Sequence, residues 1–384
     1  MPWQPPGGPG GVGGAGSEPG GPVRGPRHRR RLAVMAACVA GVLAAALGTA
    51  LALRTAPAAP HKTVARRPLS RTSAVAVAVD PGLVDVVRTL GYQEGISEGT
   101  GLVLTSSGQV LTNNHVIDGA TSVKVTDVGN GRTYRAAVVG YDRASDIAVL
   151  QARGASGLKT AGLGISSKVT AGEAVIALGN AGGKGGTPAV ATGKVTGLNE
   201  SITATDQAEQ TSEQLTGLIR TNVPLQAGDS GGPLVTTTGT VIGMDTAASS
   251  QYEIQSGAAE AAFAIPIGHA ASVAGQIKAG RASATVHIGA TGFLGVQVGL
   301  YAAPFTSRTE AVVVGAMPGL PAARAGLVPG DVIVSVTGHA VTSPSGIQTL
   351  LEPYHPGDRV SISWQDLSGH THTAALVLAT GPAE

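Results

Sequence analysis

Short apolar runs separated by polar turn residues recur along the chain from about residue 83. Examples are GLVLTSSGQVLTNNHV (101–116), SVKVTDVGNGRTYRAAVVGY (122–141) and GPLVTTTGTVIGMDTA (232–247). Turn residues return about every eight to twelve positions, which is typical of an all-β sandwich or barrel. HAASVAGQIKAG (269–280) is the first clearly helical pattern and predicts an amphipathic helix that closes this domain.

A smaller unit follows over 290–381 and mixes strand-like runs with short helices. Pro321–Ala325 is one helix candidate. A second should begin at Pro344, because Ser343 is a good N-cap and proline suits the first helical position. Within the larger domain, the polar residues 200–218 predict a long surface loop.

Three further segments are predicted before the first domain. Residues 1–31 contain ten glycines and seven prolines and cannot bury enough apolar surface to fold, so we expect a disordered tail. Leu32–Leu53 has 22 uncharged residues, enough to cross a bilayer as one hydrophobic helix. Residues 54–79 are rich in Ala, Pro, Thr and Arg and predict an extended linker.

The apolar segment 32–53 predicts export, and its fate stays open. Its length favours an uncleaved anchor, whereas Ala50-Leu51-Ala52 has the small-x-small form of a signal-peptidase site. Arg29-Arg30 also permits a twin-arginine signal. The expected location is therefore the cell membrane, single-pass with the larger domain outside the cytoplasm, or the exterior after signal cleavage.

Charge and composition exclude some classes of function. Residues 80–384 hold 16 basic and 23 acidic residues, a net charge of −7, so the folded part has no basic footprint for nucleic acid. The only cysteine, Cys38, lies in the apolar segment, which rules out a disulfide within one chain. Aromatic residues make up 3% of the chain, so the core must consist of aliphatic side chains.

Three motifs supply a base, a carboxylate and a nucleophile in chain order. Serine is a poor nucleophile until a base takes its proton, and the base needs a third group to hold its tautomer. His115 lies in TNNHVI at a strand end, Asp146 in SDIAVL at a strand start, and Ser230 in GDSGGP in a glycine turn. A structural histidine or a turn residue explains each match alone, but the ordered set is far more specific.

The glycines beside the serine suit the same chemistry. A transition-state oxyanion needs two converging N–H donors, and the amides of Gly228 and Ser230 can supply them in a loop without obstructing side chains. GDSGG also satisfies the nucleophile elbow of serine esterases. That elbow requires a following helix and a downstream histidine, whereas Pro233 and a strand pattern follow here and His115 lies upstream.

With these motifs the chain resembles serine proteases of the HtrA (high-temperature requirement) type, most of all the exported actinobacterial members. The resemblance runs from about residue 83 to the C-terminus and includes SGLIRTNVPLQAGDSGGPLV and AAFAIPIG (261–268). It implies an all-β, chymotrypsin-like double β-barrel over 80–285, each barrel six-stranded, without metal or cofactor. The implied catalytic residues are His115, Asp146 and Ser230, and the implied oxyanion hole consists of Gly228, Asp229 and Ser230.

Three positions bear on activity or specificity. Asp229 stands where many HtrA proteins have Asn; digestive proteases pair this aspartate with a newly cut N-terminus, but no activation sequence precedes His115. Another partner is therefore needed, or the resting oxyanion hole is imperfectly formed. Asn222 stands where the family commonly has Asp. Pro224, six residues before the serine, implies a primary pocket without a carboxylate and cleavage after Val, Ala or Ile.

GFLGVQV (292–298), PGLPAARAGLVPGDVIVSVTG (318–338) and the helix near 344–351 resemble a small α/β PDZ domain. Such domains bind a peptide C-terminus as an added strand. The resemblance places the carboxylate loop at Phe293, Leu294, Gly295 and Val296, with Ile347 and Leu350 facing the groove. A packing module without a ligand is the alternative.

Two other patterns predict nothing functional. GNAGGKGG (179–186) looks like a phosphate loop, but its lysine spacing is wrong and no helix follows, so we expect a plain loop between strands. His370 and His372 could ligate a metal, yet no third ligand is evident.

The sequence thus predicts an exported serine endopeptidase that cleaves unfolded or damaged proteins and uses its PDZ domain for recruitment or regulation. Expected partners are unfolded polypeptides, peptide C-termini, and the membrane through 32–53. Family resemblance adds a homotrimer as one assembly. The alternative is a silent or weakly active homologue that serves as a peptide-binding chaperone or scaffold, against which the complete triad counts.

Overall fold

The computed structural model describes residues 70–91, 95–206, 211–248, 261–302 and 309–382. The predicted tail (1–31), the apolar segment (32–53) and linker residues 54–69 lie outside these ranges. Within them, no helix combines the length and the apolar character needed to cross a bilayer.

The helix that opens the described chain corrects the linker prediction. Helix α1 (Arg71–Val79) begins after Ser70, whose hydroxyl accepts a bond from the Ser73 amide at 3.1 Å. Val75 and Val79 are buried and lie against the turn at Gly239. The final third of the predicted linker is therefore helical, because its valines find a surface that only the folded chain provides.

Six strands form the first barrel in the order β5-β4-β1-β2-β3-β6, and a β5–β6 pairing closes it. They are β1 (Leu83–Leu90), β2 (Gly95–Val103), β3 (Gln109–Thr112), β4 (Ser122–Asp127), β5 (Thr133–Asp142) and β6 (Ile147–Ala152). Alternate aliphatic side chains such as Val84 and Val86 point inward and are fully buried. The aliphatic core that the composition predicts is confirmed here.

The second barrel is closed in the order β10-β11-β12-β9-β8-β7. Its strands are β7 (Ala174–Gly179), β8 (Ala189–Asp206), β9 (Thr211–Thr221), β10 (Pro233–Thr236), β11 (Val241–Ala248) and β12 (Ala262–Pro266). Helix α2 (Ile267–Lys278) follows, where the sequence predicts a helix. The loop predicted over 200–218 is wrong: β8 and β9 run through most of it, with Ile202 paired to Leu215 and both buried.

A smaller mixed unit follows β13 (Val286–Ile288), which pairs with β5 of the first barrel. Its main sheet has the order β15-β16-β17-β19-β20, with β18 on β17, while β14 and β21 form a separate pair. Both predicted helices are present, and the Ser343 hydroxyl caps the second by accepting the Gly346 amide at 3.1 Å. The elements are β14 (Gly292–Phe293), β15 (Val296–Ala302), β16 (Thr309–Ala316), α3 (Pro321–Ala325), β17 (Val332–Val336), β18 (His339–Ala340), α4 (Pro344–Leu351), β19 (Arg359–Gln365), β20 (Thr371–Val377) and β21 (Ala379–Thr380).

A stack of three rings joins this unit to the first barrel. His287 on β13 lies between Tyr141 on β5 and His355 after α4, with ring centroids 5.0 Å and 4.7 Å apart. Its Nδ1 lies 2.7 Å from the carbonyl oxygen of Glu352 at the end of α4. The Tyr141 hydroxyl lies 3.2 Å from the Thr291 hydroxyl. The joint therefore connects the C-terminal end of α4 to the strand that leads into Asp146.

Burial lowers the pKa of His287 below its ordinary 6.5, and neighbouring His355 acts in the same direction. The carbonyl oxygens of Ala290 and Glu352 oppose this shift only in part. As pH falls below 6.5, the unfolded chain takes up a proton that the folded chain resists, so this group makes the fold less stable in acid.

We expect His287→Phe, which keeps a stacking ring but cannot titrate, to weaken the pH dependence of stability. The measurement is the melting temperature between pH 7.5 and about pH 5.5. His339→Phe is the control, because His339 is exposed on β18 and outside the stack. Equal pH dependence in the wild type and His287→Phe would contradict the assignment.

Candidate active site

The structure brings His115 and Asp146 into direct contact. Asp146 sits in the turn between β5 and β6 with φ of +52°, and 1% of it is exposed. Its Oδ1 and Oδ2 lie 3.0 and 2.9 Å from His115 Nδ1, and Oδ1 also accepts the His115 backbone N–H at 3.0 Å. The carboxylate thus fixes the imidazole orientation and leaves Nε2 on the far side of the ring.

Thr246 on β11 connects this pair to Ser230. The Thr246 hydroxyl donates a short hydrogen bond to Asp146 Oδ2, and its carbonyl accepts the Ser230 hydroxyl at 3.3 Å. Asp146 and His115 belong to the first barrel, whereas Thr246 and Ser230 belong to the second. Hydrogen bonds through Thr246 therefore connect the three residues of the predicted triad across the junction of the two barrels.

Ser230 lies in a tight loop, residues 227–232, called here the nucleophile loop. Gly228 and Gly231 adopt φ values of +96° and +83°, which L-amino acids with side chains rarely adopt. A side chain at Gly228 would collide with the Asn180 carbonyl, and one at Gly231 with the Thr100 carbonyl. In the described part of the chain, no acceptor is bonded to the amides of Gly228 and Ser230.

Asp229 differs from the prediction that it belongs to the oxyanion hole. Its amide already donates to the Gln226 carbonyl at 3.0 Å, and its side chain turns inward, where Oδ2 accepts the Gln226 amide at 2.8 Å. Burial raises the pKa of Asp229, and burial together with the Asp229 charge raises that of fully buried Asp245 well above its usual range. The Asp229 carboxyl is thus bonded to the backbone of Gln226, directly before the nucleophile loop.

Arg88 on β1 supports the turn that carries the histidine. Its guanidinium donates to the His115 carbonyl at 2.9 Å and to the Asp118 carbonyl through a shorter bond. Sequence reasoning missed both Arg88 and Thr246. No local motif marks either residue, because each reaches the site from a strand that is distant in the sequence.

Known proteins with similar sequences fit this geometry. A trypsin-like peptidase domain matches residues 99–244 and a PDZ domain matches residues 312–366. Serine protease PepD of Mycobacterium tuberculosis is 34% identical over 345 residues, which cover 86% of this chain and 70% of that protein. Serine protease Do-like HtrA of Lactococcus lactis is 31% identical over 300 residues, covering 75% of this chain and 72% of that protein.

The chain belongs to the HtrA family of serine proteases. The putative serine protease HhoB of Synechocystis is 33% identical over 273 residues, which are 69% of this chain, and the chain spans 62% of that protein's length. The family predicted from the motifs is confirmed, as is a mostly β, trypsin-like protease domain followed by a PDZ domain.

In this HtrA protein, α4 packs beside β15 in the PDZ domain. Leu294 and Ile347, both predicted for the groove, are buried in the domain core, whereas Val296 and Leu350 pack at its edge and stay half-buried. Gly295 has φ of +71°, and its carbonyl accepts the Met317 amide at 2.8 Å. Val296 and Leu350 are therefore better placed than Leu294 and Ile347 to contact a ligand.

Phe293 ends β14 and pairs with Ala379 of β21, next to the loop that Leu294 and Gly295 form. The Leu294 carbonyl accepts the Ala322 amide of α3 at 2.9 Å. These bonds fix the loop against α3 and β21, so the predicted carboxylate loop is a rigid feature of the domain.

The structure also places the remaining sequence candidates. Asn222 Oδ1 accepts the Lys194 amide at 2.7 Å and supports strand pairing, and Pro224 is exposed. His372 Nε2 lies 2.8 Å from Asp366 Oδ2 on the surface. Across the described ranges, no group of three His, Cys, Asp or Glu side chains could hold a metal ion.

Replacing Thr246 by Val removes the hydroxyl that donates to Asp146. A hydrogen bond to a charged group contributes about 1.5–3 kcal/mol, so kcat/KM for a peptide substrate should fall roughly 10- to 150-fold. Thr246→Ser keeps the donor and should retain most activity. Unchanged kcat/KM in Thr246→Val, or an equal loss in both variants, would show that this bond does not orient the carboxylate.

Proposed function

We propose that this HtrA protein is an exported serine endopeptidase that cleaves unfolded or damaged proteins. The observation that carries the proposal is the hydrogen-bonded chain from His115 through Asp146 and Thr246 to Ser230. It supports His115 as the base, Asp146 as its orienting carboxylate and Ser230 as the nucleophile, the set of groups that acyl transfer requires. We assign the protease domain to 80–285 and the PDZ domain to 290–381.

In the proposed reaction, His115 Nε2 takes the proton of the Ser230 hydroxyl as Oγ attacks the scissile carbonyl carbon. Asp146 stabilises the resulting imidazolium through Nδ1. The amides of Gly228 and Ser230 donate to the oxyanion. His115 then returns the proton to the leaving amine as the C–N bond breaks, and water, activated by the same imidazole, hydrolyses the acyl-enzyme.

The primary pocket favours small or medium aliphatic residues. Pro224 offers no carboxylate that would attract Lys or Arg. We assign the pocket wall to residues 243–247 and 261–265, where Gly243 and Ala264 lie so close that a Cβ at Gly243 would be 3.1 Å from the Ala264 Cβ. Burial raises the pKa of Asp245 on the same strand, which makes it a poor partner for a basic side chain.

Ser230→Ala should abolish cleavage of an unfolded protein, because no other hydroxyl occupies the nucleophile position. The wild type and the variant, both full chain in mild detergent, would be incubated with a reduced and alkylated protein, and fragments identified by mass spectrometry. We expect wild-type cuts mainly after Val, Ala or Ile. Cleavage by the variant would refute Ser230 as nucleophile; cuts after Lys or Arg would refute the pocket assignment.

Cleavage by neither protein would instead favour the peptide-binding chaperone or scaffold. The same assay can be repeated with an apolar C-terminal peptide present, because an enzyme that awaits a PDZ ligand would then become active.

The PDZ groove between β15 and α4 should bind apolar peptide C-termini as an added strand. Leu350 is half-buried beside this groove, so Leu350→Lys should weaken binding of such a peptide at least about tenfold, since one buried leucine side chain contributes roughly 1.5–3 kcal/mol. Leu367→Lys is the matched control, because Leu367 is 81% exposed in a distant turn. Fluorescence anisotropy would measure the affinity for the peptide. Equal affinity in both variants would show that Leu350 does not line the peptide groove.

We also propose that residues 32–53 direct export, either as a retained anchor or as a cleaved signal. Support comes from the uncharged 22-residue run and its basic flanks. The membrane attachment and a homotrimeric assembly belong to this proposal as expectations from the sequence and the family.

A further inference from the structure

A threonine on the first barrel connects the nucleophile loop to residues 180–186, called here the glycine loop. Thr100 lies in β2, and 1% of it is exposed. Its backbone N–H donates to the Ser230 carbonyl at 2.8 Å, and its hydroxyl donates to the Gly228 carbonyl at 2.7 Å. The same hydroxyl accepts the Asn180 amide at 2.9 Å. Thr100 therefore contacts both residues whose amides form the proposed oxyanion hole.

The orientation of those two amides depends on bonds made behind them. In a trans peptide, an N–H points away from the carbonyl of the preceding residue. The Gly228 amide thus points away from the Ala227 carbonyl, which accepts the Gly182 amide of the glycine loop at 2.7 Å. The Ser230 amide points away from the Asp229 carbonyl, which is bonded within the nucleophile loop at 2.9 Å.

Thr100 holds the two peptide units that follow the Gly228 and Ser230 amides in the chain. The carbonyls of Gly228 and Ser230 both bond to it, while its hydroxyl also bonds to the first residue of the loop that contains Gly182. Without this hydroxyl, the Gly228 carbonyl and the Asn180 amide would lose their buried partner, which destabilises this arrangement of the loops. The Gly182–Ala227 hydrogen bond would still join the two loops, but the peptide after Gly228 would lose its attachment and be able to rotate.

We propose that Thr100 is a positioning residue whose hydroxyl joins the glycine loop to the nucleophile loop and holds the oxyanion hole in its formed arrangement. The inference rests on the proposed function, because an oxyanion hole matters only if Ser230 attacks a carbonyl. Thr100 acts through Gly228 and Asn180 and touches no reacting atom. The glycine-rich motif at 179–186 thereby gains a role in positioning the catalytic loop.

Thr100→Val removes the hydroxyl with little change in volume, and Thr100→Ser restores it. Thr112→Val is the matched control: Thr112 is equally buried, and its hydroxyl donates to the Thr100 carbonyl at 2.7 Å instead of to the nucleophile loop. All variants would be studied as the full chain in mild detergent. Titration with a fluorophosphonate would count reactive serines, so that rates refer to folded, competent sites.

We expect Thr100→Val to lower kcat about 10- to 100-fold, somewhat less than the 10²- to 10³-fold loss on deleting an oxyanion donor. KM for a peptide substrate should stay within about threefold, because ground-state binding is unchanged. Affinity for a peptide boronate, whose tetrahedral adduct occupies the oxyanion hole, should fall in parallel with kcat. Thr100→Ser should recover most of both, and Thr112→Val should lower the melting temperature while keeping kcat.

Three results would overturn the inference: wild-type kcat in Thr100→Val, an equal loss of kcat in Thr112→Val, or no recovery in Thr100→Ser. Failure of the proposed function would look different. In that case the wild type itself would neither react with the fluorophosphonate nor cleave peptide. If the wild type is active and Ser230→Ala is inactive, the proposed function holds and the Thr100 variants test the further inference alone.

Discussion

The close approach of the nucleophile loop to its neighbours is the constraint on which the rest of the site depends. The loop passes so near the carbonyl oxygens of Asn180 and Thr100 that Gly228 and Gly231 cannot carry side chains. Both glycines also take positive φ values. Together these conditions force the chain through one narrow path between the two barrels, and Ser230 is the side chain that this path presents at the junction.

Around that loop, polar groups from the two barrels are hydrogen-bonded to each other. Asp146 is buried, and its carboxylate receives donors from His115 and from Thr246 on the opposite barrel. Donors from both sides hold this buried carboxylate in one orientation. The barrels therefore cannot shift against one another without leaving a buried charge poorly paired, which couples assembly of the fold to assembly of the site.

The junction with the PDZ domain is of a different kind. Stacked rings and the contact between His287 Nδ1 and the Glu352 carbonyl oxygen attach the end of α4 to β5. β5 continues into the turn that carries Asp146, so the end of α4 and the Asp146 turn are attached to the same strand. Burial lowers the pKa of His287 at this joint, which makes the attachment sensitive to acid.

Much of this protein could be predicted from short-range sequence features. Turn spacing indicated the β-barrels, Ser343 and Pro344 marked the start of α4, and three motifs identified the residues that meet at the site. These signals are readable because capping, turn formation and nucleophile context depend on neighbours in the chain. Two local interpretations were wrong: the linker at 71–79 and the surface loop at 200–218. These polar or mixed runs contain valines and leucines that are buried only by partners distant in the sequence.

What the tertiary structure decided is how distant groups complete the site. Thr246, Arg88 and Thr100 have no motif of their own, and each contributes through a hydrogen bond to a residue far away in the chain. Asp229 was assigned to the oxyanion hole by its position beside Ser230, yet its amide and carboxyl are both used by Gln226. The sequence by itself determined which residues are candidates for the chemistry. Only folding fixed which backbone and hydroxyl groups hold them, because such bonds depend on distance in space and leave no periodic pattern in the sequence.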